Sequence, residues 1–599
     1  MLKKIIALLL VVVMLFGVAA CTNTDVTSKQ EGTSSIDDEV SQDTSSKDDT
    51  SSDDKKTNSS KKEPTAITTT RTEKEDGIIN LNIDNSKVFN SNWEGVNAIN
   101  QGFIFLPDEF GRDYSDAQIA EELKRMDDMD INMVRSYMDA GYAFKSRKDK
   151  EITYDWNSER MQAFYKWLDA MEERDIEVAV QMGWTVASVA GGRTNDALGY
   201  TIPWYVKKEH EEYYNVYSEM IDMYTDWVEL FIKEVIIKRG YDIEYLVMFT
   251  EPYHKDVTFT QSEYTFYYEA KEGATMTKHG WEVSVDLIQA THKALKEAGL
   301  RDKVKLTGPQ YGLSNHFFEG ETLEEEINWW IERIDDCIDV YTFHWYVPSW
   351  PGQYSASDDK QGSTEGASIL DDNYDIWEYY FTEMVNIISK TGKPFWFDEW
   401  NYGANAIQIQ VKDFYAQQVA QAVIAAMNTG VNNMIYWQMF ETVWPTRMDG
   451  NARTDNKGEF DKGIHILGTA PSLYDSAIPY KLFYGFSLLT KYAGGKENKI
   501  YEGSSKKGIC CSMVEYEKDG KTYQNVIVVN TGMLEQKISL NFEKSIGKNM
   551  YRYLFDPATI VPTTAATMIP ADKGFSNVGN VLQDTIPAGS IVVYTTVKG

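Results

Sequence analysis

Along most of this chain, segments with an apolar residue at every third or fourth position alternate with short stretches that are apolar almost throughout. The first pattern is that of a helix with one buried stripe, the second that of a strand buried on both faces. Over 116–129 the residues Ile119, Leu123 and Met126 fall at helical spacing, and a strand over 131–136 follows. The same unit recurs as helix 160–173 with strand 176–183, helix 215–239 with strand 243–250, and helix 283–298 with strand 304–309. Helix 323–335 precedes strand 338–346, helix 377–391 precedes strand 394–400, and helix 413–429 precedes strand 431–439. With 92–97 as the first strand, the count is eight. That predicts an α/β fold of the (β/α)8 TIM-barrel kind over 77–487, because a doubly wound sheet usually holds about five or six strands.

Beyond 488 the pattern becomes all-β. Stretches 524–530 and 590–595 read as strands of a C-terminal antiparallel β-sandwich over 488–599, completed by a strand within 80–88. Its strands use Val and Ile without a run of exposed aromatics, so it is expected to support the barrel and not to bind ligand by itself.

At the other end, Lys3 and Lys4 precede an apolar run over 5–20, shorter than the roughly 20 residues that span a bilayer. A positive start, a short apolar run and small residues before a cut make a secretory signal over 1–20. Val18-Ala19-Ala20-Cys21 resembles the lipobox of bacterial lipoproteins, which implies cleavage before Cys21 and lipidation of its thiol. From Cys21 to 76 the chain is Ser, Thr, Asp and Lys with few large apolar residues. Such a segment cannot bury enough surface to offset its ordering entropy, and reads as a disordered tether. The expected location is the cell membrane, lipid-anchored and facing outward, with no other membrane contact.

Charge and composition narrow the function. A net charge of −32 repels phosphate backbones and excludes nucleic acid as the main partner. Four cysteines cannot frame a chain of 599 residues, and neither C-x-x-C nor H-E-x-x-H occurs, so no metal or cofactor is expected. The 16 Trp and 37 Tyr exceed what a core usually demands. Sugars present C–H faces to aromatic rings, so carbohydrate is the expected ligand class.

In such barrels the active site lies where strands end. Strand four ends Phe249-Thr250-Glu251-Pro252 and strand seven ends Phe397-Asp398-Glu399-Trp400. Two acids across one barrel mouth are the paired carboxylates of glycoside hydrolysis. Strand alternation puts Glu399 on the face of Phe397 and Phe395, with Asp398 turned towards the helices. His344 and Tyr346 share a face at the end of strand six, Arg135 ends strand two, and Trp437 lies near the end of strand eight. Trp345, Trp350 and Trp400 are either sugar platforms or wall packing, and His254 follows Glu251 closely. The oxygen-rich loop 449–461 lacks the calcium-loop pattern and reads as a solvated turn or substrate contact.

These strand-end residues resemble the retaining glycoside hydrolases of clan A. Arg135, His344-x-Tyr346, Asp398-Glu399-Trp400 and Trp437 are similar to the family 5 cellulase and mannanase arrangement. A barrel followed by a sandwich also resembles families 30, 39 and 51. The resemblance implies a retaining β-glycosidase acting on β-linked carbohydrate of mannan or glucan type. It implies Glu251 as acid/base, Glu399 as nucleophile with Tyr346 hydrogen-bonded to it, Arg135 holding its charge, and Trp437 stacking on the sugar. Thr250 stands where the clan usually has Asn, so that contact to the sugar 2-OH is shortened or passed to water or Asn401. The two carboxyls are expected about 5–5.5 Å apart, the separation for retention. The other class of function that fits is a non-catalytic carbohydrate-binding surface lipoprotein.

Overall fold

The computed structural model describes residues 77–599 apart from 101–102, 106–114, 139, 149–150, 184–191, 196–199, 204–216, 250–255, 261–265, 268–273, 313–321, 348–373, 403–414, 440–478, 496–497, 507, 564–567 and 599. Eight strands close into a barrel: β1 (Gly95–Ile99), β2 (Met133–Tyr137), β3 (Glu177–Gln181), β4 (Tyr245–Val247), β5 (Lys305–Gly312), β6 (Val340–Val347), β7 (Phe395–Tyr402) and β8 (Asn433–Tyr436). They pair in chain order, all parallel, and β8 returns to β1 with Asn433 opposite Gly95. Between and after them run α1 (Asp116–Met129), α2 (Glu159–Glu172), α3 (Tyr217–Phe231), α4 (Gly280–Glu297), α5 (Leu323–Ile334), α6 (Tyr374–Ile388), α7 (Tyr415–Thr429) and α8 (Lys481–Ala493).

Local chemistry sets where the helices start. Ser115 caps α1: its hydroxyl accepts from the Gln118 backbone N–H, while the Gln118 side chain accepts from the Ser115 backbone N–H. Thr322 and Glu325 repeat this box at α5. The expected strands and the first seven helices lie close to their sequence-derived ranges. Helix α8 does not. The proposed boundary at 487 cuts it, because Leu482, Phe483, Tyr484, Phe486, Leu488, Leu489 and Tyr492 are all buried and no polar face marks a helical period.

Among the described residues, three separate buried clusters explain the strand sequences. Ile99, Met133, Tyr137, Ala179, Val247, Val340, Trp396 and Ile435 fill the barrel interior. A second layer lies between the barrel and its helices and runs on into the C-terminal sheet. There Ile527, Val529, Ile591 and Val593 join the helical core, while Val526, Val528, Val592 and Tyr594 face a small three-stranded sheet. Both faces of 526–529 are therefore buried, which is why the run is apolar without alternation.

The sandwich also takes the start of the described chain. Ile78–Ile83 runs parallel to Gln536–Phe542 in the three-stranded sheet, and Asn90–Trp93 pairs with Asn498–Tyr501 at the edge of the larger one. The strand expected within 80–88 thus completes the sandwich, and residues 77–93, which the domain boundary at 77 grouped with the barrel, belong structurally with it. A further five-stranded antiparallel sheet joins the segments that follow β3 and β4, with Tyr200–Pro203 beside Phe266–Tyr267.

Candidate active site

At the C-terminal ends of β2, β3, β5, β6 and β7 a set of polar side chains lies buried together. Arg135, Gln181, Gln310, Thr342, His344 and Asp398 are fully enclosed, and Glu399 is 5% exposed. So much buried polarity is stable only if each group has partners.

Arg135 organises the set. Its Nη1 donates to the Asp398 carbonyl at 2.8 Å and to Glu399 Oε2 at 3.2 Å. Its Nε donates to Gln181 Oε1 at 2.9 Å, and Nη2 donates to the same oxygen and to the Tyr137 hydroxyl at 3.5 Å. A planar guanidinium can serve these directions at once; an ammonium could not. His344 lies between the two carboxylates, with Nδ1 3.6 Å from Glu399 Oε2 and Nε2 3.6 Å from Asp398 Oδ1.

The face expected for Asp398 is the wrong one. Phe395 and Phe397 pack outward, against Phe343, Phe381 and Trp345, and Trp396 fills the barrel interior. Between β6 and β7 the register then shifts: Phe343 faces Phe397, but His344 faces Glu399. Asp398 is the extra residue of a bulge, which resets the alternation and turns both acids into the cluster. Its Oδ2 accepts from Gln310 Nε2 and lies 3.6 Å from Arg135 Nη1. The expectation that Asp398 turns towards the helices is therefore corrected, as is the shared face of Glu399 with Phe397.

Gln310 is the residue that sequence reading missed, together with Gln181. Strand five was expected to stop at Pro309, yet β5 runs on to Gly312 through a second register shift. Gln310 sits there at φ 62, a left-handed conformation uncommon for a side-chain-bearing residue and enriched at functional positions. Only the Gly308-Pro309 pair hints at an irregularity in the sequence.

The other expected residues divide. Trp437 is 9% exposed, edge-on to Tyr137 with ring centroids 6.2 Å apart. Asn401 is not free to replace the Thr250 contact: its amide donates to the Trp437 carbonyl and accepts from the Tyr415 hydroxyl. Trp400 is fully buried between Trp377 and Tyr436, and Trp345 packs on Trp377 and Tyr380, so both serve the wall and not the mouth. Tyr346 lies on β6 in register with Asn401. Thr250, Glu251, His254, Trp350, the loop 449–461 and Cys21 lie outside the described residues.

No protein-family model and no curated protein matches the chain. Solved structures do. The catalytic domain of GH30 xylanase C from Talaromyces cellulolyticus aligns at a TM-score of 0.52 and 12% identity, over 87% of this chain and 100% of that one. The GH39 enzyme from Xanthomonas axonopodis pv. citri aligns at 0.51 and 12%, over 88% and 98%. CelM2, a bifunctional glucanase-xylanase from a metagenome library, aligns at 0.51 and 10%, over 88% and 100%. The chain shares their fold. The matched span is longer than the barrel alone, so the sandwich is part of the shared architecture.

Proposed function

We propose that this protein is a retaining β-glycoside hydrolase that cleaves β-linked polysaccharide or oligosaccharide of mannan or glucan type. The observation that carries the reading is Glu399: a carboxylate at the mouth end of β7, slightly exposed, with a buried guanidinium 3.2 Å away. The positive charge stabilises the ionised carboxylate a nucleophile needs. Glu399 attacks the anomeric carbon while Glu251, just beyond β4 in the chain, protonates the departing oxygen. Glu251 then takes a proton from water, which hydrolyses the glycosyl ester and frees Glu399. Two inversions give net retention. Trp437 offers a ring face to the sugar.

We also infer that the body is lipid-anchored through Cys21 on the outer face of the cell membrane, with 22–76 as tether. Export fits a polymeric substrate that cannot enter the cell.

The test is to incubate the protein with mannans, glucans, xylans and matched aryl β-glycosides, following the first-formed anomer by proton NMR. A β product first supports the reading. An α product first means inversion, and tight binding without turnover means a carbohydrate-binding lipoprotein.

A further inference from the structure

We propose that Asp398, acting through Gln310, fixes which nitrogen of His344 carries the proton, and so whether the nitrogen that faces Glu399 is bare or protonated. The proposal deepens the reading of Glu399 as nucleophile and rests on it for its functional meaning.

The inference follows from which groups can donate. Gln310 Nε2 lies against Asp398 Oδ2 and 2.6 Å from Thr342 Oγ1. An ionised carboxylate only accepts, so the amide must present its N–H end there. The reverse orientation would set two oxygens against each other in a site with no solvent to separate them. The carbonyl end is thereby delivered to His344, with Oε1 3.0 Å from Nε2. A carbonyl only accepts as well, so Nε2 holds the proton. Arg135 Nη1 is 3.5 Å from the same nitrogen, but its two hydrogens already serve the Asp398 carbonyl and Glu399. Asp398 Oδ1, buried 3.6 Å from Nε2, puts further negative charge on the side where that proton sits.

Nδ1 is then the nitrogen 3.6 Å from Glu399 Oε2. In this tautomer it has no obligatory proton. The opposite tautomer would make Nδ1–H a standing donor to Glu399 and draw charge from the oxygen that must attack. Arg135 donates to this carboxylate whatever the tautomer of His344. Both residues of the lock sit at register shifts, Gln310 on β5 and Asp398 on β7, so two separate departures from regular strand geometry converge on one imidazole. Gln310 and Asp398 are positioning residues; neither needs to touch the sugar.

Nitrogen-15 NMR of the histidine rings tests this directly. The chain has 7 histidines, and His344 is assigned by its loss in His344→Gln. Wild-type protein should show the Nε2–H tautomer above neutral pH. Gln310→Leu removes the acceptor, and the bare and protonated nitrogen shifts should interchange as Nδ1–H turns to Glu399. Gln310→Glu, with one proton shared between its outer oxygen and Asp398 Oδ2, keeps an acceptor towards Nε2 and should keep the wild-type pattern. Asp398→Ala frees the amide to rotate and should reproduce the Gln310→Leu pattern. The rate of glycosyl-enzyme formation should fall about a hundred-fold in Gln310→Leu and recover in part in Gln310→Glu. Wild-type shifts in Gln310→Leu, or Nδ1–H in the wild type, would overturn the proposal. Unmoved shifts in Asp398→Ala would remove Asp398 from it. Should Asp398→Ala fail to fold, the two Gln310 variants decide. The ring shifts are readable without turnover, so failure of the hydrolase reading is distinguished from failure of the lock.

Discussion

Arg135 and Glu399 stand 3.2 Å apart at the mouth of the barrel, the guanidinium wholly enclosed and the carboxylate 5% exposed. The same Nη1 is bonded to the backbone carbonyl of Asp398, so the cation grips β7 as well as the charge at its end. Gln181 holds the far side of the guanidinium from β3. Charge and position are thus fixed by one side chain.

Replacing Arg135 separates these roles. Arg135→Lys keeps a point charge but loses the fork, and kcat/KM should fall by about 10²–10³. Arg135→Met leaves Asp398 and Glu399 buried without a cation, which should cost about 3–5 kcal/mol of stability in urea unfolding. Equal activity in Arg135→Lys and wild type would mean that the geometry is dispensable.

A second prediction concerns pH and a site far from catalysis. Glu122, 1% exposed on α1, has its carboxyl pushed up to about 7 by burial, with Arg125 at 3.8 Å opposing and Glu121 adding to the rise. The unfolded chain releases this proton at an ordinary glutamate pH, whereas the folded chain holds it until about 7. Between those limits the folded state binds more protons, so stability falls as pH rises, then levels off. The full effect is about 3 kcal/mol at most. Glu122→Gln should be more stable than wild type at pH 8 and lose that advantage near pH 4.5. Urea unfolding across pH checks this, and parallel curves would contradict it.

Much of this architecture was legible because barrels repeat one pattern. Arg135, His344 and Glu399 stood out as polar residues ending apolar strands, and the structure brings them together. Asp398 and Gln310 did not, since a bulge has no signature in residue type and each is the extra residue at a register shift. Helix α8 was hidden by burial on all sides. The strand Ile78–Ile83 was only guessed at, because its partner at Gln536–Phe542 comes at the other end of the chain and nothing local announces the pairing.

Joining barrel and sandwich makes a packing prediction. A Cβ on Gly485 of α8 would meet Ala416 Cβ of α7 and Ile591 Cδ1 of the large sheet, each at 2.9 Å. Gly485→Val should therefore destabilise by about 1–3 kcal/mol. If the two parts unfold as one, fluorescence and circular dichroism should still report a single transition. Two separated transitions would make the sandwich an independent unit.

For the anchor, labelled palmitate should enter the wild-type chain in the producing cell and be absent from Cys21→Ser. Equal labelling of both would remove the lipoprotein reading without touching the barrel.

The most direct test of retention through Glu399 is the product formed when azide is supplied to the two alanine variants. Glu399→Ala should turn over no substrate alone, and azide should restore some activity with inverted α-glycosyl azide as product. Glu251→Ala should still form the glycosyl-enzyme from substrates with good leaving groups, and azide should then give the retained β-azide. Products in the opposite sense would exchange the two roles, and full activity in either variant would contradict the assignment.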